Sequence, residues 1–278
     1  MSLPRSATFV AAAFILGGCT LLLGYGEEAQ LARDAATSPP NDADVPSPDA
    51  PAVDERPFCE RQSPRPSFCA SFDGPGYLAE WSDTVMTNAR LDRDTSSFVS
   101  GPASLRVSLD RKDDGNVGAS VSVPFNAWTD RAFSMAIAFD VQFEAVAPAG
   151  SFAVIASPIV MATTNRASYL VQLTGRALAD GSTVALGLVE VTNSPDASRD
   201  HPSTASLQIG KWAHVELTMT LGGANNTARL TVDGTVGVEG PLELSGPGSP
   251  NVSFGLATVT SESTAWTYRF DNVTIDVR

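Results

Sequence analysis

Residues 211–239 read KWAHVELTMTLGGANNTARLTVDGTVGVE, and their reading decides the fold. Ala213, Val215, Leu217, Met219 and Leu221 alternate with polar neighbours, which is the period of a strand with one buried face. Ala228, Leu230 and Val232 repeat the pattern after a Gly-Asn-rich gap. Asp233-Gly234 is a residue pair that a two-residue hairpin turn selects, because both central positions need positive φ. The stretch therefore predicts three consecutive antiparallel strands.

Working outward, the same period recurs from Ser67 to the last residue. Phe133, Met135, Ile137, Phe139, Val141 and Phe143 form a long one-sided strand, and Leu105, Val107 and Leu109 a shorter one. Val117, Ala119, Val121 and Val123 give another. Further strands are expected at 152–161, 167–174, 183–191, 252–259 and 265–277, and no amphipathic helix longer than two turns is visible. A dozen or so strands with Gly, Pro, Asn and Asp turns predict an all-β, two-sheet antiparallel sandwich. In the last strand Trp266, Tyr268 and Phe270 occupy one phase and Val273, Ile275 and Val277 the other. The slip at Asp271-Asn272 predicts a bulge or a bend between sheets. An inward carboxylate there needs an Arg, backbone N–H groups or a cation.

The N-terminus is of another kind. In residues 1–26, MSLPRSATFVAAAFILGGCTLLLGYG, Arg5 precedes a continuous small and apolar run, as in a secretory signal sequence. Leu16-Gly17-Gly18-Cys19 resembles a bacterial lipobox, so Cys19 is the candidate lipidation site. Leu21, Leu22 and Leu23 prolong the apolar run, which leaves an uncleaved anchor or cleavage near Gly26 as alternatives. Each reading exports the rest of the chain; lipidation, the preferred one, makes it a bacterial lipoprotein at the cell envelope with a membrane as its N-terminal partner. Residues 27–66 are rich in Pro, Asp and Ala, and eight acidic residues from Glu27 to Glu55 face only Arg33. Such a stretch buries too little to offset its ordering entropy and is read as a disordered spacer. The three expected regions are thus 1–26, 27–66 and a sandwich domain over 67–278.

Cys59 and Cys69 flank the entry to the first strand, and an exported chain would pair them as a structural disulfide. The net charge of −13 excludes nucleic acid and anionic surfaces as partners.

KWAHVELTM followed by ARLTVDG resembles the Trp-x-His-Val strand and the next hairpin of concanavalin A-like and laminin G-like jelly-roll domains. SFCASFDGPGYLAEW and YRFDNVTIDV are similar to the first and last strands of these domains, which typically pair. The resemblance covers about residues 67–278. It implies a jelly roll, a fold shared by lectins, glycoside hydrolases, polysaccharide lyases and adhesion modules.

Catalytic patterns of those enzymes were sought on the strands. Jelly-roll glycanases resemble one another in an E-x-D-x-E run, and Asp140-Val141-Gln142-Phe143-Glu144 lacks one of its carboxylates. Lyases of this fold need a Tyr or His base with Arg and Gln or Asn against a uronate. Arg166, Tyr169 and Gln172 share a strand, but alternation sends Tyr169 to the opposite face. His201 falls in NSPDASRDHPSTAS, read as a polar loop with Asp196, Asp200 and Ser203. Trp212, His214 and Glu216 share one strand phase. On a concave face they would stack on a sugar ring and bind its hydroxyls, whereas in the resembling families the Trp and His mostly hold the strand edge. Asp73 and Asp271 would share a structural Ca²⁺ if the terminal strands pair; backbone amides capping the bulge are the alternative. Zinc is not expected, because the two His are isolated. These readings lean away from catalysis. They give an exported, membrane-tethered, lectin-like binding protein for an extracellular glycan or cell-surface partner. The alternatives are a carbohydrate-active enzyme, hydrolase or lyase, and a structural envelope lipoprotein.

Overall fold

The computed structural model describes residues 56–109, 118–125, 133–146, 149–161, 168–193, 196–221, 225–243, 249–259 and 266–278. Cys19, Arg166 and the expected anchor and most of the expected spacer lie outside them. Among the described residues no helix is long and apolar enough to cross a membrane. The chain enters through a single helical turn, α1 (Phe58–Arg61). The Cys59–Cys69 disulfide joins α1 to β1 (Phe68–Ala70), with Cα atoms 5.8 Å apart.

Fifteen described strands form two antiparallel sheets. The first contains β3 (Ala89–Asp94), β4 (Ser104–Leu109), β6 (Phe133–Ala145), β11 (Trp212–Leu221), β12 (Thr227–Val232), β13 (Thr235–Pro241) and β15 (Thr267–Val277). Its order is β13-β12-β11-β6-β15-β4-β3, and β1 pairs with the far end of β15. The chain ends therefore meet as the resemblance implies. The second contains β2 (Asp83–Thr87), β5 (Gly118–Pro124), β7 (Phe152–Met161), β8 (Ser168–Ala177), β9 (Thr183–Asn193), β10 (Asp196–Gln208) and β14 (Ser249–Val259), ordered β10-β9-β8-β7-β14-β5-β2. The hairpin of the opening stretch closes at Asp233 and Gly234, whose φ angles of 48° and 75° suit a primed turn.

Alternation fills the space between the sheets. Met135, Ile137, Phe139, Val141 and Phe143 of β6 and Val215, Leu217, Met219 and Leu221 of β11 point inward and are buried. Val252, Phe254 and Leu256 of β14 meet them from the second sheet. Phe254 stands edge-on to Phe139 and Phe270, with ring centroids 5.2 and 5.6 Å away, and so couples the sheets.

The phase slip in β15 is a bulge: the register to β6 shifts between Asp271 and Thr274, and Asn272 has φ 53°. The extra residue lets Tyr268 and Phe270 before it, and Val273 and Ile275 after it, all face the core.

One expectation is corrected here. Residues 196–208, read as a polar loop around His201, form β10, the edge strand of the second sheet. An edge strand can be polar because one side faces solvent, and it tolerates Pro202 where the register to β9 breaks between Pro202 and Ser206.

Candidate functional site

The outward phase of β6 carries Ser134, Ala136, Ala138, Asp140, Gln142 and Glu144, and that of β11 carries Trp212, His214, Glu216, Thr218 and Thr220. Register sets His214 opposite Asp140 and Trp212 opposite Gln142. Alanines lie where the middle of the face is reached, so the sheet is hollowed there. A groove of about 650 Å³ runs over Ala136, Thr218 and Arg229 toward Asp276 and Arg278. A smaller hollow, about 290 Å³, is lined by Glu216, Thr218, Arg229, Thr231 and Gly234.

At the upper end of this grooved face stands an Asp–His pair. His214 Nδ1 lies 2.8 Å from Asp140 Oδ1, and its backbone N–H donates to Asp233 Oδ1 at 2.8 Å. The other oxygen of Asp140 accepts from Asn272 Nδ2 at 2.7 Å. A carboxylate only accepts, so Nδ1 carries its proton and Nε2 is turned outward, 3.5 Å from Glu216 Oε1. The His214 side chain is 46% exposed and open to a ligand. The hydrogen bond to Asp140 raises its pKa above 6.5; partial burial opposes the rise, and the charges of Asp140 and Glu216 add to it. Glu216 Oε2 accepts from Thr231 Oγ1 at 3.3 Å.

Beside this pair lies a closed charge network. Arg269 donates from Nε to Asp94 Oδ2 at 2.7 Å and from Nη1 to Gln142 Oε1 at 3.1 Å, with Nη2 3.2 Å from Glu144. Arg106 donates to Glu144 at 2.9 Å. Burial opposes ionisation of Asp94, yet hydrogen bonds from Ser96 and Arg269 hold it down at about 2. Gln142 Nε2 donates to the carbonyl of Gly210 at 2.9 Å, so this amide is engaged at both ends. Arg229 on β12 is held more loosely, 3.9 Å from Glu239 and half-exposed on the groove wall.

The weakly marked trio of the sequence thus separates into roles. His214 and Glu216 do share the outer face, and Glu216 lines the smaller hollow. Trp212 is half-buried, and its Nε1 donates to Ser97 Oγ at 3.0 Å, so the indole anchors a loop. Asp140 and Asn272, which complete the pair, escaped the sequence reading. Asp140 was weighed only as part of a run along one strand, whereas its partner lies across the ladder.

Asp271 is buried but does not face the core: the register sets it opposite Asp140 on the outward phase, where it accepts from the amides of Val99 (2.7 Å), Ser100 (2.9 Å) and Asn272 (2.8 Å). Burial pushes its carboxyl up to about 7; the three amides pull against this and the charge of Asp73 adds a smaller push. Asp73 accepts from the Ala103 amide at 3.4 Å. The two residues are thus electrostatic neighbours. Among the described residues no three His, Cys, Asp or Glu side chains converge as a metal-ligand set, and three N–H donors aimed at Asp271 already supply positive potential.

Tyr169 faces the core, as alternation requires, and half-buried Gln172 is on the other phase of β8. Tyr169 donates to Glu190 Oε2 at 2.8 Å, while Glu190 Oε1 meets His201 Nε2 at 2.5 Å and the Glu243 amide at 3.0 Å. The Glu190 side chain is 0% exposed. Burial, then the contact with Glu190, pushes the Tyr169 phenol far up, so it stays a donor. This cluster ties the β10 edge to the core. Tyr169→Phe is expected to cost about 2 kcal/mol, read from urea unfolding at constant m; a loss below a few tenths would refute the bond's stabilising role.

No protein-family model and no curated protein sequence matches the chain. Solved structures do. An endo-β-1,4-glucuronan lyase from the fungus Trichoderma reesei superposes with TM-score 0.54 at 13% identity, over 76% of this chain and 95% of that one. A cellulose-induced protein gives 0.49 at 13%, over 75% and 96%. An alginate lyase from Zobellia galactanivorans gives 0.43 at 15%, over 73% and 87%. At these identities the likeness establishes the jelly-roll sandwich as the fold. It also corrects the expectation of a non-catalytic, lectin-like binder that leans away from an enzyme. The superposing glucuronan lyase is a carbohydrate-active enzyme on this sandwich, the alternative that the sequence reading sets second. The expectation rests on patterns along single strands, whereas the His214–Asp140–Asn272 arrangement is assembled from three.

Proposed function

We propose that the chain is a carbohydrate-active enzyme that cleaves a uronate-containing polysaccharide by β-elimination on the grooved face of the first sheet. The observation that carries this reading is the His214–Asp140 pair, fixed by Asn272 and half-exposed on the same sheet face as the hollows that begin at Glu216 and Thr218. The glucuronan lyase on the same sandwich supports it.

The chemistry follows from the groups present. Neutral His214 takes the proton from C5, the carbon beside the uronate carboxyl, at Nε2. Negative charge then spreads onto the carboxylate; Arg229, opposite Thr218 four residues along β11 from His214, is a cation of the groove available to a neighbouring uronate. The C4–O4 bond breaks as the C4=C5 double bond forms, and Nε2–H returns the proton to the departing oxygen. Asp140 stabilises the transient imidazolium, and no water is consumed. Glu216 sharpens the preference for a protonated ring between the two transfers.

The sign of the pH dependence is fixed by this assignment. A raised His pKa makes the imidazolium the form the fold favours; its stabilising contribution is complete below pH 6.5 and is lost as pH rises through the raised value. Activity runs the opposite way, because the base must be neutral. The kcat/KM profile on glucuronan or alginate is expected to rise on its acid side through a pKa above 6.5, followed by ultraviolet absorbance of the new double bond. Rates that fall over that range would exclude His214 as the base. We further propose that the enzyme is exported and tethered to a bacterial membrane through Cys19, on the strength of the lipobox-like Leu16–Cys19 run.

A further inference from the structure

The segment 95–103 between β3 and β4 does not stay at the sheet edge. Ser97 Oγ donates to Gln142 on β6 at 3.0 Å and accepts from Trp212 on β11, so the segment crosses β15 and reaches across the grooved face. With strands about 4.8 Å apart, that reach is roughly 14 Å. It is pinned along its length. Ser104 Oγ donates to the Ser97 carbonyl at 2.7 Å, and the amides of Val99 and Ser100 donate to Asp271. Ser100 Oγ donates to Asn272 Oδ1, and Asn272 in turn holds Asp140 beside His214.

Between these anchors Phe98 and Val99 are 41% and 49% exposed. Only two other large apolar side chains among the described residues are so exposed, Val85 and Met86, both on β2 at the edge of the other sheet. The Phe98 ring rests on Gly101, where a built Cβ would lie 2.9 Å from a ring carbon. Part of the ring therefore lies close against Gly101, and apolar surface is left in water one residue from Ser97, which bonds Gln142 and Trp212, each two positions along its strand from Asp140 and His214.

We infer that Phe98 is a stacking platform for a pyranose ring, forming a subsite next to His214 on the side away from the Ala136 trough. This rests on the proposed catalytic face and adds to it the residue that holds the polymer in place. The apolar C–H face of a sugar covers the exposed aromatic, and the contact with Gly101 and the hydrogen bonds that pin the segment lower the ordering entropy that opposes binding. Phe98 touches no reacting atom; its contribution is to affinity and to the length of polymer required.

The test uses the full-length protein with glucuronan and alginate and their size-graded oligosaccharides. Phe98→Ala is expected to raise KM about three- to ten-fold with kcat unchanged, and to flatten the gain in kcat/KM with oligosaccharide length. Gly101→Ala, which must displace the ring, is expected to do the same, whereas Val85→Ala on β2 leaves KM unaltered. A wild-type KM in Phe98→Ala, or a fall in kcat alone, overturns the platform while leaving the lyase reading intact. Phe98→Trp gives a readout independent of turnover: its added fluorescence over wild type should shift on titration with the same oligosaccharides. A shift without cleavage upholds the subsite and sinks the lyase reading. No shift overturns the subsite whether or not cleavage occurs.

Discussion

Replacing His214 with Ala is expected to lower eliminative cleavage of a polyuronate by about 10²–10⁴-fold, the range that a positioned acid–base group contributes. The fold should survive, because the side chain is nearly half exposed and the inward phase of β11 is untouched. Asp140→Asn discriminates more finely. Asn272 Nδ2 donates to Oδ2 of Asp140, so an amide at position 140 must turn its oxygen toward Asn272 and its NH₂ toward His214 Nδ1. That arrangement moves the imidazole proton to Nε2 and removes the base. Asp140→Asn should therefore approach the loss seen in His214→Ala, with an acid limb shifted to lower pH in whatever activity remains. If His214→Ala retains wild-type turnover with correct secondary structure, the catalytic assignment is wrong.

Phe254→Ala should give the largest loss of stability, about 3–5 kcal/mol. Phe254 is fully buried on β14 and sits among Trp81, Phe139 and Phe270, with centroids at 5.8, 5.2 and 5.6 Å. Phe139 and Phe270 also meet edge-on at 5.5 Å, so the three rings interlock across the two layers. Removing the ring from the second sheet leaves a cavity whose walls belong to different ladders. Neither sheet can close it without disturbing its own hydrogen-bond register, so collapse is limited. Phe254→Leu, which refills most of the volume, should recover a large part of the loss. Equilibrium urea unfolding measures both; a deficit below about 1 kcal/mol for the alanine variant would mean the sheets are not coupled through this cluster.

The candidate site was only half legible beforehand. His214 and Glu216 share a phase on one strand, and alternation alone puts them on one face. Their partners are invisible at that level: Asp140 lies 74 residues from His214 in the chain and Asn272 lies 132 from Asp140. His201 shows the converse. Its polar surroundings suit a loop, yet strand pairing with β9 brings it against buried Glu190. Trp212 reads either as a sugar platform or as a strand-edge holder, and its Nε1 bonds Ser97, while Phe98, set among serines in the sequence, had no periodic signal at all.

What the chain specified by itself was everything governed by a period of two: the strands, their inward faces, the turn at Asp233-Gly234 and the bulge at Asp271-Asn272. Each follows from neighbours a few residues apart, because pleating sends successive side chains to opposite sides whatever the rest of the molecule does. Which strands lie side by side, and hence which imidazole meets which carboxylate, was decided only when both sheets closed on a common core. Lateral order depends on packing between residues far apart in sequence, and alternation is blind to it.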